Sequence, residues 1–144
     1  MAEYVTGMTA TIAGTALRPA ISISGSSTVS GILTRITAFN TTNLPCAYRL
    51  VRYTGGTAGA GQNESKKRLN APAAICTVQA GHTADVTITE DLGYRIEVPG
   101  AIGAGASISL DSGVETPIAG TTPGLGLVAV GTGQVCDWAL EHYE

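Results

Sequence analysis

The sequence predicts an all-β chain, a single-domain antiparallel β-sandwich of about eight to ten short strands. Three observations predict it. Short apolar or alternating runs are separated by Gly, Pro, Asn and Asp turns at roughly 8–12-residue intervals. No window carries an apolar stripe of helical period, and one helical turn near Glu90–Gly93 is the most the pattern allows. Threonine and glycine are abundant, at 19 residues each; threonine is β-branched and suits strands, and glycine marks turns and bulges.

The elements follow in order. Residues 1–15 are mixed Thr, Ala and Gly with weak alternation around Met8–Ile12, and read as an N-terminal arm or edge strand. Residues 16–144 form the sandwich. Ala16–Ser24 contains Arg18-Pro19, which confines it to an edge or a strand start. Gly31–Thr41 is a long strand that ends at the Asn40–Pro45 turn. Cys46–Tyr53 alternates, with Cys46, Tyr48, Leu50 and Arg52 on one face. Residues 54–72 form a long, flexible, glycine-rich loop; loops beyond ~12 residues inside compact domains are usually functional or disordered. Ala74–Val78, Ala84–Thr89 and Tyr94–Val98 are short strands, the last two parted by a turn at Glu90–Gly93. Ala106–Leu110 and Val114–Ile118 flank a turn at Asp111–Gly113.

The last third organises the rest. Leu125–Val130 is an unbroken apolar run, as a strand covered on both faces requires. Gln134–Tyr143 alternates, placing Cys136, Trp138, Leu140 and His142 on one face and Val135, Asp137, Ala139 and Glu141 on the other. Cys136, Trp138 and Leu140 are the predicted core. Gly131-Thr-Gly133 between the two runs predicts a hairpin turn, with the pair at the sheet centre.

Composition bounds the function. The chain has 144 residues, 44% apolar, enough for one domain with a real core. Only 13% are charged, against about 25% in typical soluble domains. That hydroxyl-rich surface predicts partial covering by identical subunits or a larger assembly. The net charge of −3 makes no case for nucleic acid, and no stretch reaches the ~18 apolar residues of a membrane helix. The N-terminus lacks the features of a signal peptide. Cys46, Cys76 and Cys136 each lie in an apolar run, and synthesis in a reducing cytoplasm with no disulfides is the simplest reading, with one bridge left open.

Motifs for chemistry are weak. Gly124-Leu-Gly-Leu-Val-Ala129 matches G-x-G-x-x-[GA], but no helix follows it, so its glycines punctuate strands. His82 and His142 have no third ligand at a metal-like spacing, and any metal would have to be assembled from distant strands. No nucleophile turn occurs. No catalytic residue, cofactor or metal is therefore expected. Lys66-Lys67-Arg68 is the only basic cluster; with Gln62, Asn63 and Glu64 it supplies the candidate partner contacts. Asn40-Thr-Thr42 and Asn63-Glu-Ser65 match the glycosylation sequon without a signal peptide to make it meaningful.

Phe39-Asn-Thr-Thr42, Arg49-Leu-Val-Arg-Tyr-Thr54, Ala58-Gly-Ala-Gly-Gln62, Leu92-Gly-Tyr-Arg95, Ala101-Ile-Gly-Ala-Gly105 and the glycine-rich run from Pro117 to Asp137 together resemble small virion proteins of tailed bacteriophages, of the head decoration or cement type. The resemblance runs from about residue 30 to the end. It implies a jelly-roll-like sandwich assembled as a homotrimer on the capsid exterior, in contact with the major capsid protein and without enzymatic activity. The alternative is a tail-associated or carbohydrate-binding jelly-roll module, which needs exposed aromatics; five Tyr, one Trp and one Phe supply few. A cupin-type enzyme would need a His/Glu metal cluster inside the barrel.

Overall fold

The computed structural model describes residues 1–9, 12–118 and 123–144. Ala10 and Thr11 of the expected arm, and 119–122 ahead of the Gly124 run, lie outside them. The strands are β1 (Glu3–Met8), β2 (Ile21–Ser24), β3 (Ile32–Asn40), β4 (Cys46–Thr54), β5 (Ala60–Gly61), β6 (Ser65–Lys66), β7 (Thr77–Ala80), β8 (Thr87–Val98), β9 (Gly105–Glu115), β10 (Gly124–Ala129) and β11 (Cys136–Tyr143). One sheet has the order β6-β1-β11-β3-β9 and the other β5-β7-β2-β10-β4-β8. Setting aside β5–β7, the strands pair as nested couples: β1 with β11, β2 with β10, β3 with β9, β4 with β8, all antiparallel. That nesting, folded over into two layers, is a jelly roll. The β-sandwich expected from the sequence is thus the fold.

The predicted hairpin of β10 and β11 does not form. Each strand sits inside a different sheet, and residues 130–135 cross between the layers. An alternating strand followed by a turn looks the same in sequence whether the chain returns beside itself or crosses the sandwich. β11 buries Cys136, Trp138, Leu140 and His142 between the sheets. The Trp138 ring meets Tyr48 of the opposite sheet edge-on, centroids 4.9 Å apart.

β10 is buried at every position. Leu125, Leu127 and Ala129 face the main core, while Val128 faces a second, smaller cluster with Val51, Tyr53 and Val86. The segments before β2 and before β8 lie against this outer face, where Val86 N–H donates to the Leu17 carbonyl. Arg18-Pro19 stands just ahead of the start of β2, the second of the two expected placements, and β2 is interior, between β7 and β10. Gly124 and Gly126 make room for this layer: a Cβ at Gly124 would stand 2.3 Å from the Tyr53 ring and hydroxyl. They are packing positions, Gly124 at the start of β10 and Gly126 inside it.

Two predicted turns are bulges inside long strands. β8 runs through Glu90–Gly93, where Gly93 has φ +82° and Asp91 Oδ1 accepts the Gly93 N–H at 2.9 Å. β9 runs through Asp111–Gly113, with Ser112 and Gly113 at φ 64° and 74°. Left-handed residues that end a hairpin strand can also absorb an extra residue while pairing continues. At Thr34, β3 inserts one residue opposite Glu141/His142, so Leu33 and Ile36 both reach the core.

The 54–72 segment, expected to be a flexible loop, is stitched to both sheets. β6 pairs with β1 and β5 pairs with β7. Both lie along the same side of the sandwich, where β6 covers the edge of β1 and β5 covers the edge of β7. β1 is accordingly an interior strand.

Candidate functional site

At one end of the sandwich the connections β3–β4, β8–β9 and β10–β11 meet, because Cys46 pairs with Val98, Phe39 with Gly105 and Asn40 with Cys136. Asn40 ties them together. It is buried, and its Nδ2 donates to the carbonyls of Leu44 at 2.6 Å and Pro99 at 2.9 Å. Its Oδ1 accepts from Thr42 N–H and hydroxyl, both at 2.9 Å. Its backbone bonds to Gly103 and Ala104. Thr41 and Thr42 then reach Val135 and Gln134. The Tyr48 hydroxyl lies within 2.7 Å of the carbonyls of Ala13 and Gln134, adding the β1–β2 segment. This framework displays Leu44, Ile102 and Val130, which are 55%, 77% and 46% exposed, with Phe39 nearby on the end of β3. The sequon-like Asn40-Thr-Thr42 is thus a structural knot, missed in sequence because its partners are up to 94 residues away.

The six predicted contact residues divide. Glu64 Oε1 accepts the Val78 N–H at 3.1 Å. Lys67 pairs with Glu3 at 2.6 Å and Glu141 at 2.9 Å, and Glu141 also faces Arg35 at 3.7 Å. Gln62 donates to the Ala60 carbonyl. Glu64 and Lys67 hold the inserted segment in place, and the Gln62 bond is local to it. Asn63, Lys66 and Arg68 are exposed. The outer face of the other sheet carries a comparable ladder, in which Asp91 bridges Arg49 and Arg95 and Glu90 meets Arg52. Arg95, the Gly93 N–H and Arg49 hold the Asp91 carboxyl well below the usual carboxylate range.

Beneath the opposite end lies a buried polar group. His82 Nε2 is 2.9 Å from Ser22 Oγ and 3.2 Å from the Tyr53 hydroxyl, and its ring meets Tyr53 edge-on at 5.4 Å. Burial pushes the His82 pKa down, so the ring is neutral. Tyr53 and His82 form part of the wall of a cleft of about 420 Å³ that also touches Ser24, Thr77 and Gln79. A serine and a histidine in contact evoke a nucleophile and its base. Here Ser22 lies flat in an interior strand, and no acid among the described residues orients His82 Nδ1.

A second buried group joins the sheets. Glu144 Oε2 accepts the Ile75 N–H at 2.6 Å, and Oε1 accepts the Cys76 N–H at 2.7 Å and faces His142 Nε2 at 3.1 Å. Tyr4 stacks on the His142 ring at 5.4 Å. Burial, then the Glu144 charge, pushes the Cys76 thiol up to about 12. Burial also pushes Cys136 up to about 12; its sulfur lies 3.8 Å from Cys46 across the core, and all three cysteines are thiols.

Among the described residues no helix is long and apolar enough to cross a membrane. Comparison with protein-family models, curated proteins and solved structures finds no match to this chain.

Proposed function

We propose that this chain is a non-enzymatic structural protein of a phage virion that decorates and stabilises the capsid shell through protein–protein contacts, as a homotrimer on the shell exterior bound to the major capsid protein. One observation carries the reading: the knotted end around Asn40 presents Leu44, Ile102 and Val130 to solvent on a rigid frame. Exposed apolar side chains that are held in place lose little entropy on docking and gain the burial an interface of standard size, ~1,600 Å², requires. The ion pairs on both outer faces are satisfied within the chain, so apolar contact and hydroxyl hydrogen bonding serve association beside the exposed Lys66 and Arg68. The sequence resemblance to head decoration proteins supplies the identity of the partner.

The test is to co-produce the chain with the major capsid protein it is proposed to decorate and to sediment the shells. Addition at fixed stoichiometry, lost in a Leu44→Asp/Ile102→Asp variant that melts like wild type, supports the proposal. A stable monomer by light scattering that never sediments with shells refutes it. The sugar-binding alternative would use the cleft beside His82. Tyr53, its one aromatic wall, is only 5% exposed and turns its edge to His82, so it offers little face for stacking. Binding on a glycan array would revive that alternative.

A further inference from the structure

We propose that Cys76, His142 and Glu144 form a binding site for a divalent transition-metal ion, zinc above all, that staples the chain just ahead of β7 to the end of β11. One ligand atom from each of the three lies within 4.8 Å of the others. The His142–Glu144 separation of 3.1 Å is close to the spacing of two ligands on one tetrahedral zinc, roughly 3.3–3.6 Å for bonds of about 2.0–2.3 Å. Thiolate, imidazole and carboxylate together match zinc better than the hard cations, which take oxygen alone.

His142 Nε2 faces the Glu144 carboxylate at 3.1 Å, the contact that a cation would occupy, while Nδ1 is buried and has no partner among the described residues. With the metal on Nε2, the ring's hydrogen is carried on Nδ1. The surroundings suit a site. The Ile75 and Cys76 N–H groups orient the carboxylate from behind, as outer-shell donors do. Gly31 lets the sulfur pack closely against the backbone, since a Cβ there would stand 2.5 Å from Sγ. Glu144 also lines two surface clefts of about 350 and 380 Å³, which give an ion its way in. On binding, the Sγ–H bond of Cys76 breaks, its electron pair goes to the metal and its proton leaves to solvent.

The experiment uses the full chain freed of metal by chelation, with Zn²⁺ or Co²⁺ alone as the probe. Co²⁺ should bind at one per chain and produce a thiolate-to-cobalt charge-transfer band. That band should vanish in Cys76→Ser and persist in Cys46→Ser and Cys136→Ser. In the unaltered protein, free Zn²⁺ at ten times its Kd should slow alkylation of Cys76 about tenfold by mass action, with Cys46 and Cys136 unaffected in peptide mass mapping. Alkylation of Cys76 unchanged by micromolar Zn²⁺, or a cobalt band that survives Cys76→Ser, overturns the proposal. The mapping arm needs no variant, so a poorly folding Cys76→Ser would leave the result readable.

Discussion

Trp138 and Gly124 show how single residues decide the packing between and outside the sheets. Trp138 is buried against Tyr48, the largest side chain in the main core. Trp138→Ala should destabilise by ~3–5 kcal/mol through the void it leaves, read from denaturant melts. A variant that melts like wild type would mean that this face of β11 contributes no packing. Gly124 works the other way, by being absent. Gly124→Ala drives a methyl into Tyr53 and should cost ~1–3 kcal/mol, with part of the loss recovered when Tyr53→Leu is added. Simple additivity of the two changes would show that the clash is not with Tyr53.

At the scale of elements, the strands owe their length to bulges and the loops owe their rigidity to Asn40. β8 and β9 are the outer strands on one side of the sandwich, and each carries a left-handed bulge that twists its edge. On the other side the inserted segment covers the edges, with Glu64 and Lys67 holding it down. Asn40→Ala leaves the Leu44 and Pro99 carbonyls without their donor. It should cost about 1–3 kcal/mol and speed amide exchange at Thr42 and Gly103, while leaving the β2 and β7 amides protected. Protection lost uniformly over the whole chain would instead make Asn40 part of the global core.

For the whole molecule, stability should fall as the solution is acidified, in two stages. His82 is held neutral in the fold, so its pKa there lies below that of the unfolded chain. The unfolded state takes up the proton first as pH drops below about 6.5, and the stability present above that value declines. Asp91 is held charged, with a folded pKa below the unfolded value near 3.9; its contribution stands above about pH 4 and is lost as pH falls toward the folded pKa. Denaturant midpoints measured from pH 7 to 3 should show both stages, with His82→Gln flattening the upper and Asp91→Asn the lower. An unaltered pH profile in either variant would place the acid sensitivity elsewhere.

Local chemistry alone determined much of this molecule. The period of two along Cys136–Tyr143 settles which side chains of that strand share a face, and the apolar run at Leu125–Ala129 settles that β10 is covered twice, because strand geometry leaves no other disposal of such side chains. Turn residues marked most strand ends for the same local reason. Left-handed residues at Gly93 and Ser112–Gly113 misled, since the same backbone angles serve a hairpin end and a bulge. Pairing across the two sheets was beyond local reading: whether β10 returns beside β11 or crosses to the other layer depends on which distant strands bury its faces. So was the gathering of Cys76 with His142 and Glu144, or of Asn40 with Leu44, Pro99 and Gln134. Those groups are joined only when the nested strands close, and burial then makes each unpaired polar atom costly enough to require its partner.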